Sequence, residues 1–257
     1  MDETFTFRIV TYNAHSCRGL DRRVRPERIA AVLRETDAHI IALQEVWSAE
    51  GQERGKDQLR LIAEALGLEY RFGGNWNLNG GVYGNALLSR WPVQTAQNYD
   101  ISWRGRERRG CLRADVLVNG SILLHVFNVH LGLAFRERRH QAHRLISDEI
   151  LNHTGLTGPR IVLGDFNEWR RGLTTRLLAE QFQSVDLRYH LRRARTYPGL
   201  LPLLHLDHIY YDPALELKRL RLHRSRAALI ASDHLPLVAD FQLHLSEQAN
   251  APTGATD

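Results

Sequence analysis

The sequence of 257 residues contains little cysteine and no long apolar run. Its two cysteines, Cys17 and Cys111, cannot build a disulfide framework, and their spacing fits neither a zinc ribbon nor a redox pair. No run approaches the ~18 apolar residues that a membrane-spanning helix needs. Asp2 and Glu3 stand where a signal peptide would have positive charge. A reducing, cytoplasmic location is therefore expected.

Lysine is nearly absent as well, because only Lys56 and Lys218 accompany 32 arginines among the 34 basic residues. Basic residues exceed the 29 acidic ones, which gives a formal net charge of +5. An arginine excess is compatible with phosphate binding and also with a GC-rich genome, so it does not indicate a function by itself. A composition of 43% hydrophobic and 25% charged residues is typical of a soluble globular protein and excludes disorder, collagen and coiled coil.

Apolar alternation and short apolar runs predict eight strands, and helical periodicity predicts four helices. The predicted strands are residues 5–13, 38–43, 86–88, 112–118, 122–129, 160–163, 206–211 and 237–243. One helix is predicted to begin at Pro26, and the others cover residues 57–66, 135–151 and 174–182. Many strands with few helices and no linker predict one α/β domain over residues 1–245, with two sheets packed face to face and helices outside. The polar tail 246–257 is expected to fray.

The polar residues that stand out lie at the ends of predicted strands. They are Asn13, Glu45, His130, Asp165, Asn167, Asp207, Asp233 and His234. Taken alone, each also fits a solvated strand end or a turn. Together they form an oxygen-rich set without cysteine, which suits Mg²⁺ or Mn²⁺. The set indicates metal-assisted attack on a phosphate ester.

In their order along the chain these residues resemble the endonuclease/exonuclease/phosphatase superfamily, the deoxyribonuclease-like metal-dependent phosphohydrolases. The matching motifs are TYNAH at Asn13, LQE at Glu45, GNALLSR at 84–90, NVH at His130, GDFN at Asp165 and Asn167, LDHI at Asp207, and SDH at Asp233 and His234. The resemblance covers residues 5–243. It implies a four-layer α/β/β/α sandwich with a divalent metal, Mg²⁺ or Mn²⁺, between the inner ends of two mixed sheets.

The resemblance also implies roles for the metal ligands and the base. Glu45 would be the principal metal ligand, with Asn13 and Asp233 helping directly or through water. Asp207 would hold His234 in the tautomer that a general base needs. The implied activity is divalent-metal-dependent hydrolysis of a phosphodiester.

Three further residues complete the implied catalytic set. Asp165 and Asn167 would position the attacking water and a phosphate oxygen. His130 would stabilise the developing charge or protonate the leaving oxygen. In deoxyribonuclease-like members a glutamate pairs with this histidine, but residues 71–98 contain no acidic residue.

The partner of His130 is therefore expected to be Asn77, Asn85 or a backbone carbonyl. Histidine at this position also argues against the abasic endonuclease branch of the superfamily, which has tyrosine there.

Four residues are candidates for substrate binding. The glycine-rich segment 73–84 contains Trp76 and is expected to form a loop at the lip of the site. Asn85 follows it, and Arg109 ends an arginine-rich stretch just before a strand. Arg170 follows the GDFN motif. Arginine forks onto phosphate oxygens, so Arg109 and Arg170 are expected to contact the substrate phosphate.

The substrate stays open between a nucleic acid and a phospholipid, sphingomyelin-type or other small phosphoester. Residues 200–204 contain four leucines around Pro202, and an exposed leucine cluster would suit peripheral contact with a membrane. A scaffold that has kept the fold and lost the chemistry is the third possibility, which the intact acidic and histidine residues disfavour. The oligomeric state is left open.

Overall fold

The computed structural model describes residues 3–49, 57–78, 80–184, 196–198 and 203–245. Leu200, Leu201 and the tail 246–257 lie outside the described residues. Within the described part of the chain, twelve strands form two six-stranded sheets.

The first sheet joins the two ends of the chain. Its strands are β1 (Glu3–Asn13), β2 (Ile40–Ser48), β3 (Glu69–Leu78), β4 (Gly81–Ser89), β11 (Leu215–Leu222) and β12 (Leu237–Leu245). Their order is β11-β12-β1-β2-β4-β3. Strands β1 and β2 pair in parallel, and the other neighbours are antiparallel.

The second sheet comes from the middle of the chain. Its strands are β5 (Val93–Asp100), β6 (Gly110–Val118), β7 (Ile122–His130), β8 (Arg160–Asp165), β9 (Gln183–Ser184) and β10 (Asp207–Tyr211). Their order is β5-β6-β7-β8-β10-β9, with β7 and β8 parallel. Both sheets are therefore mixed, as predicted.

Five helices accompany the sheets in the described residues. They are α1 (Pro26–Thr36), α2 (Gln58–Leu66), α3 (Phe135–Leu145), α4 (Leu173–Ala179) and α5 (Ala228–Ala231). Proline at the first turn favours the start of α1. The Asp57 carboxylate accepts from the backbone N–H of Arg60 and caps α2, which ends at Gly67 with φ of 65°.

Three apolar clusters give the layers their order. One lies between the sheets and includes Ile9 and Leu163, both fully buried. A second packs α1 and α2 on the outer face of the first sheet, and a third packs α3 and α4 on the outer face of the second. This arrangement confirms the predicted four-layer sandwich. None of the described helices is long and apolar enough to cross a membrane.

Two local expectations were wrong. Segment 73–84 is not a loop, because its residues pair across the β3–β4 hairpin, with Trp76 opposite Tyr83. Helix α3 ends at Leu145 and does not reach Leu151. Its end is fixed by the Ser147 hydroxyl, which donates to the carbonyl of Arg144 at 2.8 Å, and by the Asn152 amide, which donates to the carbonyl of Ile146 at 2.7 Å.

The candidate residues meet at one edge of the sandwich, called here the site edge. Strand pairing places His130 and Asp207 on either side of Asp165, and Asn13 beside Gln44. The opposite edge of the sandwich is called here the far edge. It includes the loops 90–92, 119–121 and 212–214, which join strands at that end. The fold therefore brings side chains that are distant in sequence to one end of the molecule.

Candidate active site

Glu45 enters the site through an irregularity in β2. The pairing of β2 with β4 shifts register between Leu43 and Val46, and Glu45 has a positive φ of 56°. In a regular strand Gln44 and Glu45 would point to opposite faces, and a bulge re-aims one of them. Gln44 donates to Asn128 of the second sheet at 2.7 Å, while Glu45 accepts from the Asn13 amide at 2.9 Å. Both side chains thus reach the space between the sheets.

Asp165 lies at the centre of the site and is almost fully buried. Its Oδ2 accepts from the Asn13 amide at 3.0 Å and lies 3.7 Å from Nε2 of both His130 and His234. Its Oδ1 accepts from the backbone N–H of Asn167 at 2.9 Å. One carboxylate therefore contacts residues from both sheets.

Asn167 has a left-handed backbone that holds the turn after β8. Its φ is 49°, a conformation that asparagine tolerates better than most residues. Its side-chain amide donates to the carbonyl of Leu131 at 2.9 Å. The GDFN motif is thus a built turn fixed to the end of β7.

His234 and Asp207 form the predicted pair. Nδ1 of His234 lies 2.9 Å from Oδ2 of Asp207, and both residues are buried. Burial alone lowers the pKa of His234, but the carboxylates of Asp207, Asp165 and Asp233 together outweigh it and raise that pKa to about 10. The ring is further held by Tyr197, whose ring centroid lies 5.0 Å away.

The pKa of Asp165 is also raised, to about 7, because burial and the neighbouring Asp207 disfavour its charged form. The charge of His234 opposes this shift. Two acidic groups and one imidazole thus compete for protons in a nearly dry space. Such a cluster is stabilised by added positive charge.

His130 is paired with an arginine. Nη1 of Arg109 lies 2.9 Å from Nδ1 and 3.2 Å from Nε2 of His130, and both side chains are buried. The other end of the guanidinium donates to Glu107 at 3.0 Å. Burial first, and then the charges of Arg109 and His234, lower the pKa of His130 well below its usual value. Arginine can only donate, so the ring nitrogen that faces it accepts, and the ring is neutral.

The expected partners of His130 were wrong. The Asn85 amide donates instead to the carbonyls of Gly110 and Asn128, at 3.0 and 3.3 Å. Asn77 is exposed on β3. The contact is made by Arg109, because β6 and β7 pair with Cys111 opposite Val129 and so bring their adjacent ends together.

Three acidic or histidine side chains could hold a cation together. Ligand atoms of Glu45, His130 and Asp165 all lie within 4.8 Å of one another. Asn13 joins Glu45 and Asp165 because its side-chain amide donates to both carboxylates. Asp233 has its Oδ1 3.3 Å from Nδ1 of His15, and its expected part in metal binding stays a prediction.

The remaining substrate candidates lie in different places. Asn85 is buried beside the site, and its Oδ1 has no hydrogen-bond partner within the described structure. Trp76 is exposed on β3. Arg170 lines a pocket of about 180 Å³ with Trp169 and His208, beside the outer face of the second sheet. The structure therefore leaves Arg170 in a separate pocket and brings Arg109 to the candidate catalytic residues Glu45, His130, Asp165, Asp207 and His234, called here the catalytic cluster.

Two supports of the site were not predicted. The Tyr83 hydroxyl hydrogen-bonds to Glu45, and burial together with Glu45 raises its pKa. Asn128 donates to the carbonyls of Leu43 and Ala86, at 2.8 and 2.9 Å, and so ties the two sheets together. The sequence offered one indication of the role of Asn128, because it lies inside an apolar strand two residues before His130 and a buried amide must find hydrogen-bond partners.

Comparisons with known proteins identify the family of the chain. The model of the Endonuclease/Exonuclease/phosphatase family matches residues 10–234. The chain is 33% identical over 252 residues to the uncharacterized protein YbhP of Escherichia coli K12, covering 94% of this chain and 98% of YbhP.

Two solved structures show the same fold. An endonuclease/exonuclease/phosphatase family protein from Bacteroides thetaiotaomicron aligns with a TM-score of 0.77 at 18% identity, over 95% of this chain and 98% of that one. The mannosyl-6-phosphatase Bt3783 of the same species aligns with a TM-score of 0.72 at 19% identity, over 91% and 99%. The chain belongs to the endonuclease/exonuclease/phosphatase family, a family of phosphoester hydrolases.

Proposed function

We propose that the protein is a Mg²⁺- or Mn²⁺-dependent hydrolase of phosphodiester bonds. The observation that supports this most is the position of Asp165, whose Oδ2 lies 3.7 Å from the Nε2 atoms of both His130 and His234. Asn13 of the opposite sheet donates to the same oxygen at 3.0 Å. A carboxylate between two imidazoles, next to a second carboxylate, suits reaction at an anionic phosphorus centre.

The residues present fit a hard divalent cation. Glu45 and Asp165 both accept from one Asn13 amide group, so two carboxylates face the same small space. We assign Glu45 as the principal ligand, with Asp165 and Asn13 beside it, and Asp233 acting through water. When bound, Mg²⁺ or Mn²⁺ would neutralise phosphate oxygens and stabilise charge in the transition state.

His234 is assigned as the general base. Asp207 accepts from one ring nitrogen at 2.9 Å, which leaves Nε2 directed toward Asp165 and the space beside it. A base must be neutral to accept a proton from water. A cation bound beside Glu45 and Asp165 would oppose the carboxylate charges that raise the pKa of His234. Metal binding would therefore lower that pKa and favour the neutral imidazole that acts as the base. Asp165 and Asn167 would position the water and a phosphate oxygen.

Arg109 and neutral His130 are assigned to the phosphate. The guanidinium is buried and held by Glu107, so it is preorganised to bind an anion. The ring of His130 accepts from Arg109 and can donate only from its other nitrogen. This supports stabilisation of developing charge by His130 more than proton donation to the leaving oxygen.

Replacing Arg109 by glutamine is expected to raise KM for an anionic phosphodiester at least tenfold. Loss of a charge-assisted hydrogen bond costs about 1.5–3 kcal/mol. The pKa of His130 should rise at the same time, because the guanidinium charge no longer lowers it. Steady-state kinetics and NMR titration of the histidine rings measure both effects. The control is R108Q, since Arg108 is exposed and pairs with Asp100 at 3.3 Å; an unchanged KM in R109Q would contradict the assignment.

Affinity for Mg²⁺ is expected to increase about tenfold from pH 6 to pH 8, because a cation binds the deprotonated carboxylate. The pKa of Asp165 is raised to about 7, so the ligand is mostly protonated at pH 6 and mostly ionised at pH 8. Calorimetric titration with Mg²⁺ across this range measures the change. In D165N the affinity should be lower and flat with pH, and a flat profile in the parent protein would remove Asp165 from the ligand set.

A substrate panel tests the proposed function itself. Plasmid DNA, single-stranded DNA, RNA, phospholipid vesicles and bis-p-nitrophenyl phosphate are each incubated with Mg²⁺ or Mn²⁺ and with EDTA. EDTA-sensitive hydrolysis of any of them supports the proposal, and cleavage without either nucleic acid favours the phospholipid or small-ester alternative. No EDTA-sensitive cleavage at all would point to a scaffold.

A further inference from the structure

Exposed large hydrophobic side chains are confined to one end of the molecule. The described residues include nine of them, with exposed fractions from 39% at Trp103 to 70% at Leu133. All nine lie at the site edge, in loops, in the β3–β4 hairpin, at the first residue of α3 or in the short helix α5. They are Leu20, Val24, Trp76, Trp103, Leu133, Phe135, Trp169, Leu203 and Ile230, called here the apolar rim.

The apolar rim is interleaved with the catalytic candidates. Leu133 follows His130 by three residues, and Trp169 follows Asn167 by two. Leu203, from the segment predicted to touch a membrane, precedes Asp207 by four. Single exposed apolar residues are ordinary, but their restriction to one edge marks an interaction surface.

Charged residues of the loops are also distributed unevenly between the site edge and the far edge. The described site-edge loops contain twelve arginines and five acidic residues, whereas the described far-edge loops contain one arginine and five acidic residues. The site-edge loops are residues 14–25, 80, 101–109, 131–134, 166–172, 196–198, 203–206 and 223–236, with Ala49 and Asp57. The far-edge loops are residues 37–39, 67–68, 90–92, 119–121, 146–159, 180–182 and 212–214.

We propose that the site edge docks on an anionic phospholipid surface. Arginines attract the negative headgroup layer, and tryptophan suits the interface between headgroups and acyl chains. Exposed leucine, valine, isoleucine and phenylalanine side chains are stabilised when they enter the acyl-chain region of a membrane. The phosphates and sugars of a nucleic-acid backbone offer them no comparable apolar contact. Docking in this orientation turns the catalytic cluster toward the lipid. The corollary that a lipid phosphoester is the substrate rests on the proposed function, but docking itself does not.

Co-sedimentation with vesicles tests the docking. The full chain is mixed with vesicles of phosphatidylcholine alone, or with about 30% phosphatidylglycerol, at about 0.1 M salt without divalent metal. Binding to the anionic vesicles and at least tenfold weaker binding to the neutral ones is expected. Tryptophan emission should shift to shorter wavelength on binding, because Trp76, Trp103 and Trp169 are exposed in the free protein.

Two pairs of variants locate the surface. L133S/F135S removes apolar area, and R104Q/R106Q removes two exposed arginines; each pair is expected to weaken vesicle binding at least tenfold. L133I/F135L retains the apolar area, and R90Q removes an exposed far-edge arginine, so both should bind like the parent. None of these residues belongs to the catalytic cluster, and hydrolysis of a soluble phosphodiester should be unchanged in all four variants.

The outcomes separate docking from catalysis. Binding that is lost in the site-edge variants but kept in the controls supports the proposal, even if no substrate is cleaved. Absence of binding to anionic vesicles, equal loss in R90Q, or binding to DNA alone overturns it. The proposed function would still stand if a soluble phosphodiester is hydrolysed in an EDTA-sensitive manner.

Discussion

Replacing Glu45 by alanine is expected to lower Mg²⁺ affinity and catalytic rate together, the rate by at least about 1,000-fold. Glu45 shares the Asn13 amide with Asp165, so its removal leaves one carboxylate where two face the same space. Calorimetry with Mg²⁺ and single-turnover hydrolysis of a soluble phosphodiester measure the two losses. They should be correlated, because Glu45 is assigned to the cation and not to proton transfer.

Two further variants sharpen this prediction. E45Q retains the shape and a hydrogen-bond acceptor for Asn13 but loses the charge, so it should resemble E45A in affinity and the parent in thermal stability. E149A is the surface control, because Glu149 is exposed and pairs with Arg144 at 2.8 Å. Full activity in E45A, or a loss of rate with unchanged Mg²⁺ affinity, would reject Glu45 as the principal ligand.

The sequence could predict those parts of the site that depend on local pattern. A short apolar strand leads into Gln44 and Glu45 and marks Glu45 as a candidate, although β2 does not end there and continues to Ser48. GDFN combines a strand end with a left-handed turn at Asn167. Candidate site residues can therefore be predicted from a single sequence when each one is adjacent to the apolar strand that positions it.

Contacts across strands could not be predicted in this way. Arg109 and His130 are 21 residues apart, and their contact depends on the pairing of β6 with β7. The bulge that re-aims Glu45 also needs the partner strand β4. Strand β5 was missed because it lies at a sheet edge and most of its side chains are exposed, so its sequence lacks apolar alternation.

The apolar rim was similarly hidden in the sequence. The leucines of 200–204 stand out because they are adjacent, whereas Leu133 and Phe135 lie at the start of α3 and Trp169 lies in a different loop. Only the fold gathers these loops at one edge together with most of the loop arginines. The number of arginines indicates no function by itself, but their concentration in the site-edge loops indicates a surface that binds anions.

Replacing His234 by alanine is expected to reduce kcat by about 10²- to 10⁴-fold, the range for loss of a general base, while Mg²⁺ still binds. Nε2 of His234 lies 3.7 Å from Asp165, and its raised pKa keeps the free protein's imidazole protonated at neutral pH. Removing that positive charge should leave Mg²⁺ affinity unchanged or raise it. Calorimetry and kcat measurements on H234A test this separation, with H153A as the control at the exposed His153 of the far edge.

D207N distinguishes a base from a residue that merely fills space. The Asp207 charge is the largest influence that raises the pKa of His234, so the amide should lower that pKa below about 10. If His234 must be neutral to act, the acidic limb of the kcat profile should move to lower pH in D207N, and kcat should fall less than in H234A. A structural role for the pair would reduce activity equally at every pH. A profile that keeps its acidic limb in D207N would therefore assign proton transfer to a group other than His234.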